Sequence, residues 1–94
     1  MPPDSAPSPR GQRLDVTKTF GKVLRQRRKE LGLTQEKLAL EAGIQRNYVS
    51  LIERGINQPT ITMIFKLAKV LKCSPSTLVS DTENLLHQPS AHVE

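Results

Sequence analysis

The sequence predicts an all-α domain of five short helices, and three observations carry that prediction. Apolar residues recur at the 3, 4, 7 spacing of helices in several segments, and no alternating strand pattern occurs anywhere. Small hydroxyl residues stand just before those segments, at Thr34, Thr60 and Ser74, where a helix needs a cap. Glycines stand just after three of them, at Gly32, Gly43 and Gly55, where a chain leaving a helix takes a left-handed turn.

Residues 1–14 are rich in Pro, Ser and Gly and lack apolar periodicity, so they read as a disordered arm. The first helix is expected from Val16 to Leu31, with Phe20, Val23, Leu24, Arg27 or Arg28, and Leu31 tracing its inner face. Thr34 can cap a second helix from Gln35 to Ala42, with Leu38, Ala39 and Ala42 inside. A third runs from Gln45 to Arg54. After the loop INQPT, Thr60 caps a fourth, Ile61 to Leu71, whose stripe is Ile61, Ile64, Leu67, Ala68 and Leu71. Ser74 and Pro75 open a fifth, because proline at the first helical position loses no hydrogen bond. The expected organisation is an arm (1–14), a folded domain (15–80), and a helix extension with flexible tail (81–94).

Charge is unevenly spread over the 94 residues, whose net charge is +5. Residues 16–72 hold twelve Lys or Arg against Glu30, Glu36, Glu41 and Glu53, a balance of +8. A compact basic domain suits a polyanionic partner, although a merely solvated basic surface would look the same. No apolar run approaches the length of about 18 residues that a membrane span needs. The single cysteine, Cys73, fits a reducing cytoplasm and reads as a buried small residue rather than a redox sensor. His87 and His92 have no metal-ligand partners nearby, and no nucleophile–base set or phosphate loop is present. No enzyme activity, cofactor, metal or small-molecule ligand is therefore expected.

The second and third helices, joined through Gly43, have the plan of a helix-turn-helix. Ala39 is small enough for a close crossing, and Leu38, Ile44, Val49 and Ile52 can form the seam. In that plan the second helix of the pair enters the DNA major groove by its N-terminal end. This explains why Gln45, Arg46, Asn47 and Tyr48 are polar while Val49 and Ile52 are not. Arg46 is the prime candidate for base readout, since its guanidinium can bond guanine O6 and N7 together. Asn47 can read adenine or hold a phosphate, Tyr48 can touch DNA or pack on the second helix, and Gln45 can reach DNA or act only as a weak cap. Ser50 and Leu51 lie further along. Arg25, Lys22 and Lys18 on the first helix are phosphate contacts or a solvated face, with Arg25 the candidate and Lys18 read as solvated.

The stretch LGLTQEKLALEAGIQRNYVSLIERGINQPT resembles the helix-turn-helix of the lambda repressor and Cro-like family, also called the xenobiotic-response-element family. The resemblance covers Phe20 to Leu78. It rests on Ala39, Gly43, the apolar seam, the Thr34–Gln35 pair and Glu53–Arg54–Gly55. Gln45 departs from it, standing where Ser or Thr is common. The resemblance implies a five-helix DNA-binding domain. It further implies that Gln35 binds phosphate and braces the third helix, that Asn57, Thr60 and Thr62 meet the DNA backbone, and that Arg28 pairs with Glu53. The family includes small phage repressors and the controller proteins of restriction–modification systems.

A core of about 60 residues is marginal alone, and one reading helix covers few base pairs, so a homodimer on a near-palindromic operator is expected. Its interface is expected at Leu78, Val79, Leu85 and Leu86, apolar residues the small core need not use. Double-stranded DNA is the expected partner. Activation would also need a contact with RNA polymerase, and no patch for it can be named. The alternative function is an antitoxin of the same fold.

Overall fold

Local chemistry sets each helix. In a computed structural model, which describes residues 15–88, the Asp15 carboxylate accepts from the Lys18 backbone N–H at 3.0 Å and opens α1, Val16–Glu30. The chain then turns through Gly32, whose φ is +70°. The Thr34 hydroxyl accepts from Lys37 N–H at 3.0 Å and starts α2, Gln35–Ala42. Gly43 ends it at φ +73°. Helix α3, Arg46–Glu53, follows with Gln45 as its N-cap. Thr60 caps α4, Ile61–Val70, through Met63 N–H, and Ser74 caps α5, Pro75–Leu86, through Thr77 N–H. Among the described residues there is no strand, and no helix is long and apolar enough to cross a membrane.

The helices enclose one aliphatic core. Phe20, Val23 and Leu24 of α1 meet Leu38 and Ala39 of α2, Val49 and Ile52 of α3, Leu67 and Ala68 of α4 with Leu71 just beyond it, and Leu78 of α5. Helix α1 packs on α3 and α5, and α2 on α3 and α4. At the α1–α3 crossing the backbones nearly touch. A Cβ on Gly21 would collide with the Ile52 carbonyl oxygen and lie 2.7 Å from that of Glu53. Only glycine permits this approach.

Three expectations about faces are corrected. Leu31 is exposed, because α1 ends at Glu30 and Leu33, beyond the turn, packs on the core instead. Ile61 is exposed, because the first turn of α4 overhangs the core and inward packing begins at Met63 and Ile64. Leu78 is not available to a dimer interface: its side chain is fully buried within the single chain. Helix α5 runs on past residue 80 to Leu86, and Thr82 is buried, its hydroxyl donating to the Leu78 carbonyl at 2.8 Å. The arm (1–14) and the tail from Pro89, with His92, lie outside the described residues.

Candidate nucleic-acid interface

The connection between α2 and α3 is three residues, Gly43, Ile44 and Gln45. Gly43 N–H donates to the Leu40 carbonyl at 3.2 Å and Ile44 N–H to that of Ala39 at 2.9 Å, a left-handed glycine turn that closes α2. Ile44 then packs on the core and fixes the crossing of the two helices. Leu38, Val49 and Ile52 are fully buried in the seam.

A buried carboxylate locks this pair of helices to α1. Arg28 donates through Nε to Glu53 Oε2 at 2.6 Å and through Nη2 to Glu53 Oε1 at 2.9 Å. Its Nη1 donates to the Leu33 carbonyl at 2.7 Å. Gln35 Nε2 donates to Glu53 Oε1 at 3.0 Å. The end of α3 is thereby tied to α1, to the turn after it, and to the first residue of α2. With both charged side chains buried, the forked pairing and the extra donors satisfy groups that would otherwise be costly to desolvate.

What remains outward on α3 is polar. Gln45, Arg46 and Asn47 are exposed, and Ser50 lies half-buried on the same side. Tyr48 is half-buried against the core, so its ring serves packing as well as any contact outside. Leu51 is also half-buried, and its carbonyl accepts from Ile56 and Asn57, which shapes the following loop. Gln45 makes no side-chain cap bond. In the first turn of α3 the Tyr48 N–H donates to the Gln45 carbonyl at 3.0 Å, and no side chain caps the N–H groups of Arg46 and Asn47, an arrangement that favours an anion. Arg54 was not singled out in the sequence, yet it is exposed and continues the face of Asn47 and Ser50 at spacings of seven and four. That spacing was the signal available for it.

The other candidates are spread around this face. Gln35 stands at the first position of α2, and one of its amide protons is used on Glu53. Arg25 is exposed on α1, Asn57 half-buried in the loop after α3, and Thr60 and Thr62 exposed at the start of α4. The Thr60 hydroxyl already works as a cap. Val79 is exposed and Leu86 is seven residues on, on the same side of α5. Leu85 lies on another side, lining a polar groove with Gln26, Arg27 and Asp81. Arg27 Nε bonds Asp81 at 2.7 Å there, and this hydrogen bond holds the guanidinium more firmly protonated. Burial pushes the nearby Cys73 thiol up, with Arg27 opposing.

Comparison with known proteins agrees with this geometry. Residues 24–78 match the family model HTH_3, described as helix-turn-helix. The chain is 42% identical over 76 residues to the HTH-type transcriptional regulator DicA of Escherichia coli, covering 81% of this chain and 55% of DicA. It is similar to the solved structure of the restriction–modification controller protein C.AhdI of Aeromonas hydrophila, with 41% identity and a TM-score of 0.65 over 68% of this chain and 96% of the other. It is also similar to the biofilm-formation regulator SinR, solved in complex with DNA: 38% identity, TM-score 0.61, 64% of this chain and 97% of that one. Sequence, fold and site together place the chain in the HTH_3 helix-turn-helix family, of the lambda repressor-like kind.

Proposed function

We propose that the protein is a sequence-specific DNA-binding transcription regulator of the cytoplasm that occupies a near-palindromic operator as a dimer. One observation carries the reading: Gln45, Arg46 and Asn47 at the start of α3 are exposed to solvent, while Val49 and Ile52 of the same helix are buried in the core. A helix offered end-on in this way fits the major groove. Arg46 reads a guanine, Asn47 and Ser50 reach neighbouring bases, and Gln45 and Tyr48 sit at the edge of the contact. Gln35, Arg25, Asn57, Thr60 and Thr62 hold phosphates on either side. The similarity to a regulator solved with DNA supports the reading.

The dimer is best served by an apolar surface of α4 and α5. Ile61 and Phe65 are 68% and 60% exposed and stand one turn apart on the flank beside Ile64. Ile64, Val16 and Val79 line an adjoining groove with Pro59. Val79 and Leu86 stay in the proposed interface, while Ile61 and Phe65 take the place intended for Leu78 and Leu85.

The test of function is selection from a random duplex pool with wild type and Arg46→Ala in parallel. A palindromic motif from wild type, degraded at one symmetric position by the variant, is expected. The discrimination lost at that position corresponds to about 1–3 kcal/mol. No enriched motif, with binding that simply fades as salt rises, would refute base readout.

A further inference from the structure

Six of the basic side chains lie on α1, and the fold divides them sharply. Arg28 is buried and Arg27 half-buried, and both are paired, with Glu53 and Asp81 respectively. Lys18, Lys22, Arg25 and Lys29 are all exposed, and none joins an ion pair among the described residues. Their spacings of four, three and four put them within an arc of about 60° on the helix, along about 16 Å of its length. Like charges at these spacings repel, so the stripe weakens the helix that carries it. The sequence does nothing to relieve this on that face. Glu30 is the one acidic residue of α1, and it is occupied by the Gln26 amide at 3.3 Å.

The stripe is also fixed in position relative to the reading helix. The stem of Lys18 lies over Gly55, the residue that ends α3: a Cβ there would fall 2.5 Å from Lys18 Cγ and 2.9 Å from its Cα. Beside it the Thr17 hydroxyl donates to Gln58 Oε1 at 3.3 Å, joining α1 to the loop that carries Asn57. Toward the other end of α1, Arg28 holds Glu53. The end of α3 is therefore seated against α1 between Lys18 and Arg28, and the stripe runs along the margin of that seat.

We infer that Lys18, Lys22, Arg25 and Lys29 form a phosphate track that carries the DNA backbone flanking the site read by α3. This rests on the DNA-binding reading above and goes beyond it in extending the single Arg25 contact to a continuous, sequence-blind surface along α1 that includes Lys18, Lys22 and Lys29. The chemistry is charge complementarity. Duplex DNA presents a phosphate for every ~3.4 Å of axis on each strand, and each lysine that neutralises one releases a condensed counterion.

The test is the salt dependence of binding, for the full chain, on a mixed-sequence duplex and on any duplex recovered by selection. The triple variant Lys18→Gln, Lys22→Gln, Lys29→Gln should lower the slope of log K against log salt by about 2.7, close to 0.9 per contact. Its selected motif should be that of wild type. The matching triple Lys→Arg variant should retain the wild-type slope, which separates charge from the packing of the Lys18 stem on Gly55. A Gln triple variant that melts no lower than wild type and keeps the full slope overturns the track while leaving base readout intact. Wild type that shows no affinity for either duplex overturns both. Wild type with a steep slope but no selected motif refutes readout alone, and the track then stands or falls on the variant's slope.

Discussion

Glu53 is the residue on which the most depends. Its two oxygens receive three donors, two from Arg28 and one from Gln35, and its side chain is 3% exposed. Replacing it with alanine strands the Arg28 guanidinium, whose remaining partner is the Leu33 carbonyl. Glu53→Ala is expected to cost about 3–5 kcal/mol, a large share of what a domain of this size has, and urea unfolding would measure it. A wild-type midpoint would show that water takes over the role of the carboxylate. Resemblance to a known family made the partnership of Arg28 and Glu53 legible, because the two are 25 residues apart and nothing local connects them. Gly21 was illegible. A glycine within a helical pattern reads only as a weak point, whereas here the Ile52 and Glu53 carbonyls leave no room for a Cβ. Such a contact exists only once two helices have met.

At the scale of elements, the starts and stops were legible because they are decided by near neighbours. Thr34, Thr60 and Ser74 each accept a hydrogen bond from the backbone three residues on, as hydroxyl residues ahead of an apolar rhythm should. The inner faces were less legible near helix ends. Periodicity says which residues share a side but not where the neighbouring helix stops, and Leu31 and Ile61 fall beyond that limit. The start of α3 is the weakest cap of the four that follow α1, since the Gln45 side chain makes no cap hydrogen bond. Gln45→Ser should therefore stabilise the free protein by about 0.5–1 kcal/mol, read as a rise in the thermal midpoint. The same change should not tighten DNA binding to match, because a serine bonded to its own helix competes with phosphate for those N–H groups. If stability and affinity rise together, the first turn of α3 takes no phosphate.

For the whole molecule, the main ambiguity in the sequence was what an apolar residue is for. Leu78 and Val79 are neighbours with similar side chains, yet one is fully buried in this chain's own core and the other is 51% exposed. A pattern of apolar residues cannot separate a core from a surface meant for another copy; only the packing of α1 against α5 does so. The exposed set, Ile61, Phe65 and Val79, leads to a prediction about assembly. Phe65→Glu should shift the protein from dimer to monomer in sedimentation at micromolar concentration, with its helical content retained. A wild type that sediments as a monomer would remove the dimer, and a variant that still dimerises would move the interface elsewhere.

The separation between the buried and outward sides of α3 has a consequence for how such a protein can change. Val49 and Ile52 hold the helix, while Arg46, Asn47, Ser50 and Arg54 share its other side without entering the core. Under the proposed readout, exchanging those four alters the preferred DNA word at little cost to folding, so target choice can drift under selection while the scaffold stays constant. The protein is thus a ready chassis for retargeting. A library varied at those four positions alone should consist largely of folded members that differ in what they bind.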